Sequence, residues 1–319
     1  MEGLRALDAA AVALLERRLT PELYEPLTSY LRDELGAGVL LMRALLAGFD
    51  PGPLAATLLE LSTDLADSGY PELSERCLRL RATLADNADG CAAIAAIRRL
   101  GTELPSSADA SSRMAACAAM FDRYAVQSEA ASVAGYSLGN PRLLAEATAE
   151  VVDLLAAWGV LGTDRDVLQI GCGAGRFEVA LAARVRRAYG IDISPEMIAR
   201  ARRRCAGLPN IHLALGSGTR LDGFSNGSLG LVYAVDSLPY IHQVDPKLID
   251  QVFDEMRRVL SPGGHGAVFN LRYGFSLVSD RAELEALARR HGLDVLVGGI
   301  APFRCWDGRA FLLARPSGG

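Results

Sequence analysis

No apolar run in this 319-residue sequence matches the ~20 residues that a bilayer crossing requires. The most apolar stretch, Val39 to Phe49, is interrupted by Arg43 and reads as a buried helix. The start, Met-Glu-Gly-Leu-Arg, lacks the basic region and apolar core of a secretory signal. There is no Cys-x-x-Cys pair. The six cysteines (Cys77, Cys91, Cys117, Cys172, Cys205, Cys305) are scattered, with no histidine at ligand spacing. A disulfide framework and a metal site are therefore not expected, and the pattern suits reduced cytoplasmic thiols. Cys172 sits beside the site described below, but with no base near it in sequence it reads as small buried packing. Charge of one sign is lacking too: 33 basic against 38 acidic residues leave a net charge of -5. Neither nucleic acid nor an anionic membrane is expected as a partner.

What is present is apolar mass. Half the residues are apolar, enough for one large domain with an accessory domain. From Leu4 to about Leu100 the pattern is helical: Leu4, Leu7, Ala11, Leu14 and Leu15 mark one apolar face, and Leu54, Leu58, Leu61 and Leu65 another. Thr20-Pro21, Asp50-Pro51-Gly52-Pro53 and Tyr70-Pro71 divide this region, because proline suits a first helical turn and not an interior. The small, polar segment Gly101 to Ser112 reads as a linker. The expected division is a helical domain over 1–110 and a second domain over 111–319.

Helices are expected over Arg113 to Tyr124 and Asn140 to Trp158, around a loop at 134–141. Short apolar strands then alternate with helices. Strand candidates are Val167 to Ile170, Arg187 to Ile191, Ile211 to Leu215, Leu229 to Val235 and Gly266 to Asn270. The intervening helices are Arg176 to Arg184, Pro195 to Ala206 and Pro246 to Leu260. A helix over Asp280 to His291, opened by Asp280 with Glu283 in capping-box spacing, precedes two strands, Leu293 to Gly298 and Ala310 to Ala314. The implied fold class is α/β: a doubly wound, mostly parallel sheet of seven strands with an antiparallel edge pair, preceded by an all-α domain.

Val167 to Gly175 reads Val-Leu-Gln-Ile-Gly-Cys-Gly-Ala-Gly, a strand followed by a glycine turn. Such a turn lets backbone approach a ligand and leaves helix-terminal amides unpaired; it also serves as a plain strand-to-helix connection. Asp192, ending the next strand, can accept both hydroxyls of a ribose, and it can equally cap the helix opening at Pro195. Turn, strand and acid together favour a nucleoside ligand. Arg176 stands where a dinucleotide fingerprint needs its third glycine, which disfavours NAD and FAD.

Ile-Gly-Cys-Gly-Ala-Gly, followed by Gly-Ile-Asp-Ile-Ser-Pro-Glu-Met, resembles the class I S-adenosylmethionine-dependent methyltransferases of the small-molecule, type 11 kind, over roughly residues 115–319. The resemblance implies a Rossmann-like methyltransferase domain with S-adenosylmethionine as cofactor. It gives the Gly171 and Gly173 backbone to the methionine part, Asp192 to the ribose, and Ile193 and Met197 to adenine packing. Leu215-Gly-Ser-Gly218 matches the loop after the third strand. Leu229 to His242 matches the fourth strand and active-site loop, and Leu260-Ser-Pro-Gly-Gly264 the turn before the fifth strand. Ser217, Gly218 and Ala234 join the cofactor set. Two positions depart: Gln169 stands in place of the usual acid on the first strand, and Ser217 in place of the usual aspartate. Gln169 can still meet the methionine ammonium, without a carboxylate's charge.

Methyl transfer is an in-line displacement that rests on holding the acceptor in a dry pocket. A base is needed only if the acceptor must lose a proton; His242 is the candidate, and it can equally just line the loop. Asp236 could orient a substrate amine or hydroxyl with Tyr240 packed against it, and structural turn roles compete. Asn270, Arg272 and Tyr273 leave the carboxyl end of the fifth strand, where such sheets bind ligands. Arg272 would suit a carboxylate. Tyr124 and Tyr136 read as lid or pocket residues. The expected partner is a small-molecule methyl acceptor, such as a secondary metabolite, with the helical domain as a lid or a homodimer interface. A cyclase or isomerase retaining the cofactor, and a non-catalytic interaction module, are the alternatives.

Overall fold

A computed structural model describes residues 7–101, 104–105 and 109–317. The chain forms two compact units. One holds the described residues through Gly101, with Gln127–Ala147 and Arg304–Asp307; the other holds the rest. Leu4, expected on the first apolar face, lies outside the described residues, as do 102–103 and 106–108 of the segment read as a linker.

The helical unit begins with α1 (Ala9–Arg18), α2 (Pro21–Leu31), α3 (Ala37–Ala47), α4 (Pro51–Asp67), α5 (Pro71–Asp86) and α6 (Ala88–Arg99). Proline opens α2, α4 and α5, as its fixed φ and missing amide dictate. Leu54, Leu58, Leu61 and Leu65 are all buried on one face of α4, each contributing roughly 1.5–3 kcal/mol.

The chain continues through α7 (Ala110–Gln127), α8 (Glu129–Val133), a short 3-10 turn (Gly135–Ser137) and α9 (Pro141–Ala157). Because Ala110 already opens α7, with Asp109 accepting the Ser112 amide at 2.7 Å, the linker is shorter than its composition suggests. The 3-10 turn lies in the helical unit because two helical glycines admit it. A Cβ at Gly38 would stand 2.1 Å from the Tyr136 carbonyl oxygen, and one at Gly90 1.7 Å from that of Leu138.

The other unit carries a seven-stranded sheet. Its elements are β1 (Asp166–Ile170), α10 (Arg176–Leu181), β2 (Arg187–Asp192), α11 (Pro195–Arg204), β3 (Ile211–Leu215), β4 (Leu229–Val235), α12 (Leu238–Val244), α13 (Leu248–Val259), β5 (Leu260–Phe269), α14 (Leu277–His291), β6 (Asp294–Ile300) and β7 (Ala310–Ala314). The spatial order is β3-β2-β1-β4-β5-β7-β6. β7 runs antiparallel between β5 and β6, and β1 to β5 pair in parallel. The sheet reverses direction between β1 and β4, which opens the ligand crevice of this architecture above their carboxyl ends. Leu168, Val232, Phe253, Met256 and Phe311 fill the core.

Two expectations are corrected. Leu260-Ser-Pro-Gly-Gly264 is not a turn before the fifth strand: β5 starts at Leu260, and these residues form an irregularity between the Leu229–Leu260 and Leu231–His265 pairings. Asp280 does not cap the last helix. Ser276 does, accepting the Ser279 amide at 3.1 Å, while Asp280 is buried one turn on between Arg272 (3.1 Å) and Arg309 (2.6 Å). Two cations make that position more valuable than a cap. All six cysteines are free, and among the described residues no helix is long and apolar enough to cross a membrane.

Candidate functional site

The β1–α10 turn places Gly171, Gly173 and Gly175 at φ of +75°, +53° and +78°, where glycine alone sits without penalty. Gly171 is also glycine for space: a Cβ there would lie 2.3 Å from Ser237 Cβ. Ser237 in turn donates to the Ile170 carbonyl at 2.6 Å, locking β1 to the start of α12. The amides of the turn itself are paired within the chain. The Gly171 and Cys172 amides donate to the Ile191 carbonyl, Gly175 to that of Cys172, and Gly173 to Asp192 Oδ2 at 2.8 Å. The turn is stitched to β2 before the helix begins, so the protein consumes these donors itself.

Asp192 is the centre of that stitching. Its Oδ1 accepts the Ser194 amide at 2.9 Å, so each carboxyl oxygen holds one backbone N–H. Burial raises its pKa, against the pull of these amides. Ser194 caps α11 at Met197 and donates to Asp122 of α7 at 2.5 Å; Asp122 also accepts the Glu196 amide. Asp122 carries no signal in the sequence, since only folding brings α7 to α11.

Beneath the turn lies a polar cluster. Gln169, buried in β1, accepts from the Tyr233 hydroxyl at 3.2 Å and donates to the Gly171 carbonyl at 3.4 Å, so its amide faces the turn's own backbone. Glu178, on α10, is fully buried, and among the described residues neither of its carboxyl oxygens has a hydrogen-bond partner. Burial, with a smaller push from Asp192, raises its pKa to about 8. Burial likewise pushes the Cys172 thiol well up, which leaves it unreactive. Arg176 stacks over Phe177, its Cζ 4.3 Å from the ring centroid, and donates to Thr148.

The remaining cofactor candidates divide. Ile193 and Gly218 come together: a Cβ on Gly218 would meet Ile193 Cγ2 at 3.0 Å. Ser217 turns its hydroxyl onto the Arg220 amide at 3.0 Å. Met197 and Ala234 are buried, in α11 and at the centre of the sheet.

Across the crevice, β4 and β5 end in two non-glycine residues with left-handed backbone, Asp236 (φ +55°) and Asn270 (φ +63°). Such residues cost of order 1–3 kcal/mol each and gather at functional sites. Asn270 exchanges both its amide and its side-chain oxygen with Arg309 backbone, at 2.8 Å each, which aims Nδ2 at Asp236 Oδ1, 2.7 Å away. The Tyr273 hydroxyl donates to the same oxygen at 2.9 Å. Tyr240 packs edge-on against Phe121 of α7 (centroids 4.8 Å apart) and against Tyr273 (5.7 Å); Phe121 also meets Tyr124. Burial and then the Asp236 charge raise the Tyr240 pKa, so its hydroxyl stays protonated.

Four of the expected substrate-side residues, Asp236, Tyr240, Asn270 and Tyr273, thus converge, and Phe121 joins them. The others do not. His242 lies two residues from Tyr240, about 200° round the helix. It faces Phe275 and lines a separate cleft of about 540 Å³ with Asp109 and Arg113. Burial and Arg272 lower its pKa. Arg272 is bound to Asp280 and stacked on Phe275. Tyr136 belongs to the helical unit, buried against Trp306. Tyr124 is buried beside Phe121.

Residues 167–264 match the family described as a methyltransferase domain. An uncharacterised 37.1 kDa protein in transposon Tn4556 of Streptomyces fradiae is 39% identical over 100 residues, or 30% of this chain and 27% of that protein. The match therefore spans about a quarter of this relative's length. Among solved structures, Haemonchus contortus phosphoethanolamine N-methyltransferase 1, in complex with phosphoethanolamine and S-adenosylhomocysteine, is 18% identical. It matches with a TM-score of 0.52 over 65% of this chain and 50% of that one. The N-methyltransferase NodS from Bradyrhizobium japonicum WM9 is 21% identical, with a TM-score of 0.43 over 56% and 98%. The seven-stranded sheet shares the fold of the Haemonchus contortus structure, with a helical region before it.

Proposed function

From a methyltransferase domain at residues 167–264, we propose that this protein transfers a methyl group from S-adenosylmethionine to a small-molecule acceptor, such as a secondary metabolite. The observation that carries this reading is Asp192, a half-buried carboxylate at the end of β2 bonded to the glycine-turn amide of Gly173. Each of its oxygens holds one backbone amide and keeps a further lone pair for a ribose hydroxyl. Ile193 and Gly218 offer an apolar face to adenine. Gln169 accepts from Tyr233 and donates to the turn, and so supports the methionine end by shaping Gly171.

The bound cofactor supplies an electrophilic methyl on a sulfonium, and the chain's part is positional. Asp236, Asn270, Tyr240 and Tyr273 hold the acceptor at the carboxyl ends of β4 and β5. His242, in its own cleft, takes no part in that cluster. The helical unit exposes Leu46, Leu59, Leu78 and Leu100, which supports a homodimer as its role; sedimentation measures that directly.

Calorimetry with S-adenosylmethionine and S-adenosylhomocysteine tests the reading, followed by release of labelled methyl into a metabolite extract. Binding of both with transfer to an extract component is expected. Absence of binding at high micromolar concentration overturns it. Binding without any transfer selects the cyclase or the non-catalytic module instead.

A further inference from the structure

We propose that Glu178 answers the positive charge of S-adenosylmethionine through the floor of the glycine turn, giving up its proton to solvent when that cofactor binds and keeping it when S-adenosylhomocysteine binds; this rests on the methyltransferase reading. The placement comes from the sheet. Gly190, Gln169 and Tyr233 stand side by side on β2, β1 and β4, so their side-chain positions share one face. Tyr233 and Gln169 fill theirs and bond to each other at 3.2 Å. Gly190 leaves its own open, and Glu178 takes the space from α10. A Cβ at Gly190 would stand 2.8 Å from Glu178 Oε1 and 2.8 Å from Cys172 Cβ. The acid group therefore lies in the same layer as the neutral Gln169, against a residue of the turn.

Glu178 is poorly served as an anion. It is fully buried, and among the described residues neither of its oxygens has a hydrogen-bond partner, whereas each oxygen of Asp192 accepts a backbone amide. Asp192 on β2 opposes a second negative charge beside it. The thiols of Cys172 in the turn and Cys205 on α11, with the Tyr233 hydroxyl on β4, are kept neutral by burial. Its own backbone amide and Arg176, stacked on Phe177, favour the anion, and burial outweighs both. At neutral pH the free protein thus carries a protonated acid under the turn, and a carboxyl group so balanced responds to a charge that a ligand brings. A sulfonium above the turn is such a charge, and across a water-poor interior its attraction needs no contact. S-adenosylhomocysteine has lost the sulfonium and exerts no such pull. Glu178 recovers its proton once the methyl has left, which cancels part of the attraction and eases release of the product.

Calorimetry on the wild-type protein at pH 7, in two buffers of different ionisation enthalpy, counts the protons released on binding. S-adenosylmethionine is expected to release a fraction of a proton more than S-adenosylhomocysteine, and Glu178→Gln should remove that excess. From pH 6 to pH 7.5 the wild-type affinity for S-adenosylmethionine relative to S-adenosylhomocysteine should rise roughly threefold, as for an acid made about tenfold stronger by the bound cation. In Glu178→Gln the rise should be absent. Titration of the ligands' own amines is common to both proteins and drops out of the comparison, and near-UV circular dichroism establishes that the variant is folded. A wild-type affinity ratio that is level across this range, or an equal proton excess in Glu178→Gln, overturns the role of Glu178, while measured binding of both cofactors leaves the methyltransferase reading standing. Failure of the wild-type protein to bind either cofactor overturns that reading, and the proton linkage with it.

Discussion

The Asp192 carboxylate accepts the Gly173 amide at 2.8 Å, so one side chain both ties the glycine turn to the neighbouring strand and occupies the place proposed for the ribose contact. Structure and binding are therefore coupled at this residue. Asp192→Ala is expected to lower S-adenosylhomocysteine affinity by about tenfold or more and to destabilise the fold by roughly 1–3 kcal/mol, because two part-buried amides lose their acceptor. Asp192→Asn, which keeps an acceptor oxygen, should lose less stability than affinity. Calorimetry and urea denaturation separate the two; intact affinity in Asp192→Ala refutes the ribose role.

Gly171 and Gly207 share left-handed backbone but not surroundings. A Cβ at Gly171 would collide with Ser237 at 2.3 Å, whereas one at Gly207 meets nothing within 4 Å. Gly171→Ala should cost roughly 2–4 kcal/mol from backbone strain and overpacking together, and Gly207→Ala only about 1 kcal/mol. Urea midpoints at constant m-value provide the measurement.

Glu178 should make stability fall with rising pH. Its folded pKa, about 8, exceeds the usual value of 4.5, so between these values the folded state binds more protons than the unfolded one. The folded state is unburdened below about pH 4.5, loses stability through that window and levels off above pH 8, a total of a few kcal/mol. Glu178→Gln should flatten the profile and leave the variant more stable than wild type at pH 9. Equal slopes in the two proteins would show that Glu178 does not titrate there.

Asp280 is fully buried between Arg272 and Arg309. Asp280→Ala leaves two guanidinium groups facing a loss of charge and should cost about 3–5 kcal/mol. The loop carrying Tyr273 should loosen with Arg272, so the acceptor KM should rise more than kcat falls. A thermal midpoint equal to that of wild type would contradict the pairing.

The α/β alternation, all seven strands and the proline-opened helices were legible because each follows from local pattern: short apolar runs, glycine turns and fixed φ. Asp192 was legible because its spacing from the turn follows from one strand–helix–strand unit. Asp280 misled, since its capping-box spacing is a local signal overridden by two distant arginines. Glu178 gave no signal: a glutamate in an amphipathic stretch looks exposed until the sheet closes over it. His242 and Tyr240 looked equivalent in sequence, and only the pitch of α12 sends them to different places.

By itself the sequence determined the strand order along the chain, the glycine turn and the acid that follows it, because these depend on backbone sterics and hydrophobic periodicity over a few residues. Tertiary structure alone decided where the chain returns. It placed Gln127–Ala147 and Arg304–Asp307 in the helical unit, through close approach at Gly38 and Gly90 for the first of them. It also gathered Phe121, Asp236, Tyr240, Asn270 and Tyr273 at one edge, since contacts between residues 34 to 119 positions apart arise from packing that no local pattern encodes.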